Sequence, residues 1–459
     1  MNIRAFVAML LCKTLRTVLR LLKRGGTAMP GRCALKICPD LLRIISKDVK
    51  TVAVTGTNGK TTSSRMIEQA FKSAGKDYFA NRSGANLITG ITTEFVMNTT
   101  LFGKAKKHYA VIECDEAAAR KVFGQIKPQV IVVTNVFRDQ LDRFGEITTT
   151  LNSIRAGILD VPEATLCLNA DCSLTASISG TVPNRIVYFG INNGAVQGGS
   201  DAGLSDAAYC IKCKSKYEFD YITYGHLGGF RCPRCGYKRH MPDVAVQSVI
   251  DMSYQNSRAM IRVGNRPARE VTINLPAVYN IYNAAGALAA CTEMNIDEEI
   301  VIDALSCFKC GFGRMEHFEL GNTLMTMLLI KNPAGCNRAL EFLSGLEEKF
   351  ALAVCLNDRS ADGTDISWIW DSEFEMLMNM KDKISVLYVS GDRAEDMLVR
   401  IKYSGFDTEK TVVEHDYGKL LSVFEAQNEP VFVVPTYTAM LEMRKETIKR
   451  CGGKEFWEG

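Results

Sequence analysis

At 459 residues, with 47% apolar and 23% charged positions, the chain can hold two or three domains around a sizeable core, and wholesale disorder is excluded. The net charge of +4 hides an uneven spread: residues 1–50 carry Arg4, Lys13, Arg16, Arg20, Lys23, Arg24, Arg32, Lys36, Arg43, Lys47 and Lys50 against Asp40 and Asp48, so the remainder is slightly acidic. Sixteen cysteines in so long a chain fit a reducing compartment, with thiols free or metal-bound rather than bridged.

The basic front, 1–49, places Phe6, Met9, Leu10, Leu15, Val18, Leu19 and Leu22 at spacings that predict an amphipathic helix. Two readings of it stay open: a helix lying on an anionic membrane surface, or one docked on the protein's own core with a solvated basic face. Phe6–Cys12 is too short for a signal-peptide core, since Lys13 and Arg16 interrupt it. No segment reaches the roughly 18 uncharged apolar residues of a spanning helix. The expectation is a cytoplasmic protein, at the inner face of the membrane in the first reading.

Val49–Thr55 reads as the first strand, followed by a Gly-containing turn and a helix through Met66, Ile67, Ala70 and Phe71. Strand-like runs follow at Tyr109–Ile112, Val130–Thr134, Leu166–Leu168 and Ile186–Phe189, and their alternation with helical stretches predicts a parallel α/β sheet. The pattern breaks over 190–245, a stretch rich in Gly, Cys, Tyr and Lys that reads as an insertion. An Ala-rich helix is expected at Tyr279–Glu293. A second α/β pattern has strands near Leu324–Ile330, Ala351–Leu356, Ile384–Val389 and Val431–Pro435. We expect a domain boundary near 316–322, dividing an ATP-binding domain, 50–316, from a C-terminal domain, 317–459, with closure about that linker as the gate.

Thr55-Gly56-Thr57-Asn58-Gly59-Lys60-Thr61-Thr62 sits between the first strand and its helix, which turns successive backbone N–H groups and a helix N-terminus toward an anion. Lys60 would reach the β- and γ-phosphates of ATP, and the Thr61 hydroxyl would face Mg2+. Only two residues separate Gly56 from Gly59-Lys60, where the common phosphate loop has four.

This segment resembles the signature of the Mur ligase family, whose members join a carboxylate to an amine through an acyl phosphate. The resemblance extends over about 50–335 in the family's order. Glu113 stands where the family has a Mg2+-binding acid, and Asp139-Gln140-Leu141-Asp142-Arg143-Phe144 resembles its Asp-His-x-Asp-Arg segment. Asn280 and Asn283 resemble its nucleotide-contacting asparagines, and Gly313-Arg314-Met315-Glu316 its phosphate-binding Gly-Arg-x-Glu. Lys331-Asn332-Pro333-Ala334-Gly335 resembles the start of its C-terminal domain. The implied fold is a central ATPase domain with a parallel sheet, followed by a Rossmann-like α/β domain. Two features depart from the family: Gln140 replaces a metal-binding His, which puts a second Mg2+ in question, and about 49 residues before the first strand are too few for a uridine-nucleotide domain.

Cys210-x-x-Cys213 and Cys232-x-x-Cys235, eighteen residues apart, have the spacing of a four-cysteine zinc ribbon at about 205–240. Four thiolates favour tetrahedral Zn2+ and leave no open position, so the site reads as structural. The flanking Lys212, Lys214, Arg231, Arg234 and Lys238 permit nucleic-acid binding, but no aromatic-basic stacking array accompanies them.

Asp358, Asp362, Asp365 and Asp371 share one short loop with Trp368 and Trp370. An Asx-rich turn with tryptophan core anchors is one reading. The other comes from the resemblance: the loop is similar to the C-terminal domain of the family's lipid II-amidating branch. The zinc ribbon insertion and the missing uridine domain match that branch as well. It implies a heterodimer with a GatD-type glutaminase subunit, amidation of the α-carboxyl of D-glutamate in lipid II, and a role for one aspartate in orienting the glutaminase's histidine. Asp365 is the first choice, before Asp362 and Asp358. The chain's own five histidines, His108, His226, His240, His317 and His415, form no recognisable Cys/His nucleophile pattern. Ammonia must then come from solution or a partner. The competing expectations are a folylpolyglutamate-synthetase-like ligase and a non-catalytic nucleotide- or nucleic-acid-binding scaffold.

Overall fold

The computed structural model describes residues 3–22, 27–81, 85–137, 147–196, 207–253, 256–308 and 314–452. They fall into two compact units that divide between residues 309 and 310.

The first unit opens with three helices, α1 (Ile3–Leu21), α2 (Ala28–Ile37) and α3 (Leu41–Ile45). Strands β1 (Lys50–Thr55), β2 (Tyr78–Ala80), β3 (Tyr109–Glu113), β4 (Val130–Val133), β5 (Thr165–Asn169) and β6 (Ile186–Ile191) follow. Interleaved with them are α4 (Lys60–Ser73), α5 (Ile88–Met97), α6 (Ala119–Ile126), α7 (Ile147–Leu159) and α8 (Ser173–Ala176). A separate hairpin, β7 (Glu218–Tyr224) and β8 (Leu227–Arg231), precedes β9 (Val244–Met252), β10 (Ser257–Val263) and β11 (Arg269–Ile273), and α9 (Val278–Glu293) and α10 (Glu298–Ser306) end the unit.

The main sheet runs β11-β10-β9-β6-β5-β4-β1-β3-β2. It is parallel from β2 to β9 and antiparallel across β9-β10-β11. The parallel part is covered on both faces, which is why its strands are apolar runs rather than alternations: Val52, Ala53, Val54, Val132 and Val133 are wholly buried. The order reverses at β1, which lies between β3 and β4, so the carboxyl end of β1 opens at a topological switch point.

The front helix forms, but it docks through a narrower face than its apolar pattern predicts. Ala5, Ala8, Met9 and Cys12 are fully buried where α1 packs on α2 and α5, whereas Leu10 and Val18 are 45% exposed and Leu22 is 61% exposed. Small residues on the buried face let the helices approach closely, so the larger apolar side chains stay outside.

The second unit holds a sheet of order β12-β13-β17-β14-β15-β16. Its strands are β12 (Arg314–Leu320), β13 (Thr323–Leu328), β14 (Phe350–Cys355), β15 (Ile384–Ser390), β16 (Thr411–Val413) and β17 (Val431–Pro435). Only the β12–β13 pair is antiparallel. Helices α11 (Pro333–Ser344), α12 (Ala394–Tyr403), α13 (Tyr417–Glu425) and α14 (Tyr437–Cys451) alternate with the strands. One core cluster joins Phe318, Met325, Met327, Phe424, Val431, Val433, Met440 and Met443. Asn332 caps α11, its Oδ1 accepting the Gly335 N–H at 2.8 Å, with Pro333 at the first helical position.

Candidate active site

The loop Gly56–Gly59 leaves β1 and feeds α4 through two left-handed glycines, Gly56 at φ 120 and Gly59 at φ 84. It is fastened to the segment after β4. Asn135 accepts the Thr57 N–H at its carbonyl (2.8 Å) and the Asn58 N–H at Oδ1 (3.0 Å). Thr134 Oγ1 donates to Asn58 O at 2.7 Å, and Phe137 N donates to Thr57 Oγ1 at 3.1 Å. The loop is thus rigid before any anion arrives, and the start of α4 supplies the positive end of a helix dipole.

Lys60 is 8% exposed and folds back on this loop. Its ammonium donates to Gly56 O at 2.6 Å, Thr57 O at 3.2 Å and Glu116 Oε1 at 2.8 Å. Burial opposes the charge, but Glu116, with Glu113 and Asp115 behind it, outweighs burial and raises the Lys60 pKa. Glu113 ends β3 opposite Val54 of β1, and Asn81 clamps its backbone through both N–H and carbonyl. Glu113, Asp115 and Glu116 are all nearly buried, at 9, 7 and 4% exposure. Sequence reasoning singled out Glu113 alone; Glu116, three residues on, is the one that holds Lys60. The run of three acids within Glu113–Glu116 was the available signal.

Asn280 and Asn283 reach the same place from α9. Asn283 Oδ1 accepts from Ser63 Oγ at 3.3 Å, and Asn283 Nδ2 donates to Asn280 Oδ1 at 3.2 Å. Asn280 Nδ2 in turn donates to Pro276 O at 2.7 Å. Asn283 lies so close to Gly59 that a Cβ there would collide with its carboxamide. Ala277, just before α9, holds a left-handed φ of 78, a strained position of the kind that clusters at functional sites. Thr61 and Thr62 stand in the first turn of α4.

The four predicted ligand cysteines converge, their Sγ atoms all within 4.8 Å of one another. Cys210 lies 3.6 Å from Cys235 and Cys213 lies 3.4 Å from Cys232. These separations fit a tetrahedron with metal–sulfur bonds of about 2.3 Å, whose edges are about 3.8 Å. The two knuckles are alike. Lys214 N donates to Cys210 O and Gly236 N to Cys232 O, with left-handed Lys214 (φ 63) and Gly236 (φ 71) just after each second cysteine. The Ser215 amide holds the Cys213 thiol down at about 6. Cys235 is pushed up to about 12: the Tyr237 amide opposes this, but burial and the neighbouring thiols outweigh it.

The ribbon is anchored to the main sheet of the first unit. Arg239 Nε donates to Asp171 Oδ1 at 2.5 Å, and the Tyr282 hydroxyl donates to Asp171 Oδ2 at 2.6 Å. Thr223 of β7 lies 2.7 Å from that same hydroxyl. Tyr282 therefore ties the hairpin to the turn of α9 that carries Asn283.

In the second unit the three candidate aspartates separate by environment. Asp362 accepts from both the N–H (2.7 Å) and the hydroxyl of Thr438 and is 6% exposed, a cap for α14. Asp358 pairs with Arg393 at 2.6 Å. Asp365 is exposed and accepts the Ser367 N–H at 2.8 Å; that amide, with the Ser367 hydroxyl, holds its carboxyl below the usual range. Trp368 is a core anchor, but Trp370 is half exposed against Tyr403.

Arg314 opens β12 and is followed by left-handed Met315 (φ 57) and by Glu316, which accepts from Arg444 Nε at 3.0 Å. Asp139–Phe144, and Gln140 with it, lie outside the described residues. The histidines hold one surprise. His226 Nε2 lies 3.4 Å from Cys172 Sγ, yet both residues are sealed from solvent and burial raises the thiol, so the pair is no accessible nucleophile.

A switch-point phosphate loop, an adjacent acid cluster and an asparagine-bearing helix define the nucleotide domain of an amide ligase of the Mur type. Residues 54–232 match the Mur ligase middle domain, and 329–440 match the MurT ligase C-terminal domain. The chain is 35% identical to the MurT subunit of the glutamine-hydrolysing lipid II isoglutaminyl synthase of Streptococcus pneumoniae, covering 98% of both chains. To the corresponding Staphylococcus aureus subunit it is 31% identical, over 96% of this chain and 98% of the other. The fold is shared with MurF ligase from Thermotoga maritima in complex with ADP, at 14% identity and a TM-score of 0.62, over 91% of this chain and 85% of that one. The chain belongs to the Mur ligase family and, within it, to the MurT subunits; it is a ligase. Identity along the whole length to subunits of one enzyme disfavours the folylpolyglutamate and scaffold readings. No described helix is long and apolar enough to cross a membrane.

Proposed function

We propose that this chain is the synthetase half of a glutamine-fed, amide-forming ligase of lipid II, working at the inner face of the membrane. It would convert the α-carboxyl of D-glutamate in the stem peptide to the amide. The observation that carries the ATP-dependent step is Lys60, fixed on a rigid amide-lined loop beside three buried carboxylates.

The substrate carboxylate attacks the γ-phosphorus of ATP. The bond from that phosphorus to the β-bridging oxygen breaks, ADP departs, and an acyl phosphate forms. The N–H groups at the Gly59–Thr61 start of α4 and the Lys60 ammonium stabilise charge on the transferring group. Lys60 leaves Glu116 to do so. Three carboxylates against one cation leave an excess of negative charge that suits Mg2+, with Thr61 and Glu113 as its holders. The ion would supply Lewis-acid neutralisation of phosphate oxygens. Asn280 and Asn283 orient the nucleotide. Ammonia then attacks the carbonyl carbon, phosphate leaves, and the nitrogen loses a proton. We assign the ammonia supply to a GatD-type glutaminase partner whose histidine is oriented by Asp365. The test combines chain, glutaminase, lipid II, glutamine and Mg-ATP: ADP and amidated lipid II should appear together by mass spectrometry. ADP without amidated lipid II would refute the acceptor.

Gly59→Ala adds a methyl group at a left-handed position facing the Asn283 carboxamide. Strain of about 1–3 kcal/mol should weaken ATP binding roughly tenfold to a hundredfold by titration calorimetry. Unchanged affinity would remove this glycine from the site.

The cysteine tetrad would hold a structural Zn2+, one per chain. Chelation should release it and raise proteolytic cleavage within 209–238 by about tenfold or more, because the ribbon's small core cannot stay folded alone. Metal analysis and mass-mapped proteolysis measure both; a cleavage pattern indifferent to chelation would count against the assignment.

A further inference from the structure

The buried face of α1 leaves its opposite face bare. Ile3, Val7, Leu10, Val18 and Leu21 recur at helical spacing and are 80, 45, 45, 45 and 79% exposed, with Thr14 filling the gap between Leu10 and Val18. The stripe runs about 27 Å along the helix at 1.5 Å per residue. Arg4 flanks one side, Lys13 and Arg20 the other, and no Asp or Glu precedes Asp40. An apolar ridge broken only by Thr14, with cationic margins and no acid, is unusual on a solvated surface.

A second observation lies beside it. Lys13 Nζ donates to Thr99 O at 2.5 Å, tying α1 to the turn after α5. That turn is tight, with Gly103 left-handed at φ 84 and Thr100 N bonded to Lys104 O at 2.8 Å. Its tip presents Phe102, 83% exposed, with exposed Lys104, Lys106 and Lys107 following. An aromatic tip and three lysines thus extend the ridge's chemistry onto a separate element.

We propose that the α1 ridge and the Phe102 turn form a docking surface for an anionic phospholipid bilayer, α1 lying in the interface plane with its outer face among the acyl chains. The apolar side chains enter the bilayer, while Arg4, Arg20 and the lysines after Phe102 meet lipid phosphates. Charge complementarity selects this occupant: an acid-free patch bordered by cations fits an anionic lipid surface, and nothing in it would pair with the basic groups of a second copy. The proposal stands apart from the acceptor assigned above, because the surface binds bulk lipid.

The test is co-sedimentation of the full chain with vesicles of phosphatidylglycerol and phosphatidylcholine, against phosphatidylcholine alone, without lipid II. Binding should need the anionic lipid and weaken with salt. Val7→Glu/Val18→Glu and Lys104→Glu/Lys106→Glu should each lower partitioning by about tenfold or more. Melting curves and ATP affinity report whether these variants stay folded. Phe102→Trp, at an open position, should show a fluorescence blue shift on anionic vesicles. Absence of binding, equal binding to neutral vesicles, no shift from Phe102→Trp, or full binding by the glutamate variants overturns the proposal. So does conversion of a dimer to a monomer by Val7→Glu/Val18→Glu, which would make the ridge a contact between copies. Failure here leaves the amidation reading intact, since that is scored on ADP and amide product.

Discussion

Replacing Lys60 with glutamine is expected to cut single-turnover ADP formation by about 10³-fold or more, the scale on which charge-stabilising groups act in phosphoryl transfer. The side chain is placed for this by its two bonds to the loop carbonyls Gly56 O and Thr57 O. Glutamine can keep such bonds but brings no charge. The substitution also strands Glu116, whose side chain is 5% exposed, without its counter-ion. Losing one partner of a buried pair typically costs about 3–5 kcal/mol, so a fall in melting temperature is expected too. The double variant Lys60→Gln/Glu116→Gln separates the two effects. It should recover much of the stability and none of the turnover. Recovery of turnover with stability would mean that Lys60 serves the fold alone.

Asp365→Asn should lower glutamine-fed amidation by about 10³-fold or more, in line with the loss seen when a histidine's orienting carboxylate becomes an amide. Amidation fed with high ammonia should stay within about twofold of the unaltered pair, since P-loop chemistry is untouched. Asparagine is isosteric and can still accept the Ser367 N–H, so the turn into Trp368 should survive. Asp362→Asn supplies the contrast. Asp362 caps α14 through Thr438, so its change should act on the stability of the second unit and on both ammonia sources alike. Equal loss for Asp365→Asn on both sources would assign it a structural role as well.

Much of the frame was legible because parallel strands covered on both faces must be apolar. Val130–Val133, Phe350–Cys355 and Val431–Pro435 announce themselves in that way. The strands β9 to β11 did not, since half-buried Arg258 and Arg262 and exposed Arg269 and Glu270 break the apolar run. The hairpin β7–β8 was hidden for another reason: Gly228 and Gly229 pack against Tyr221, a contact without local signature. In the site, the loop and Lys60 could be read directly. Glu116 could not be chosen over Glu113, because the turn after β3 decides which acid meets the ammonium. Nor could Thr134 and Asn135, which anchor a loop 76 and 77 residues away. The three aspartates could be ranked in the sequence only through the resemblance; their surroundings, Thr438 at Asp362 and Arg393 at Asp358, are long-range contacts it does not show.

The Asp171–Tyr282–Thr223 cluster joins the cysteine ribbon to the helix turn that bears Asn283. Two binding events that share one mechanical element obey reciprocity: whatever factor nucleotide gains from metal, metal gains from nucleotide. Chelator titrations with and without ATP therefore measure a single coupling constant from opposite sides. A metal held by the tetrad would then change its affinity by that same factor when nucleotide is washed away.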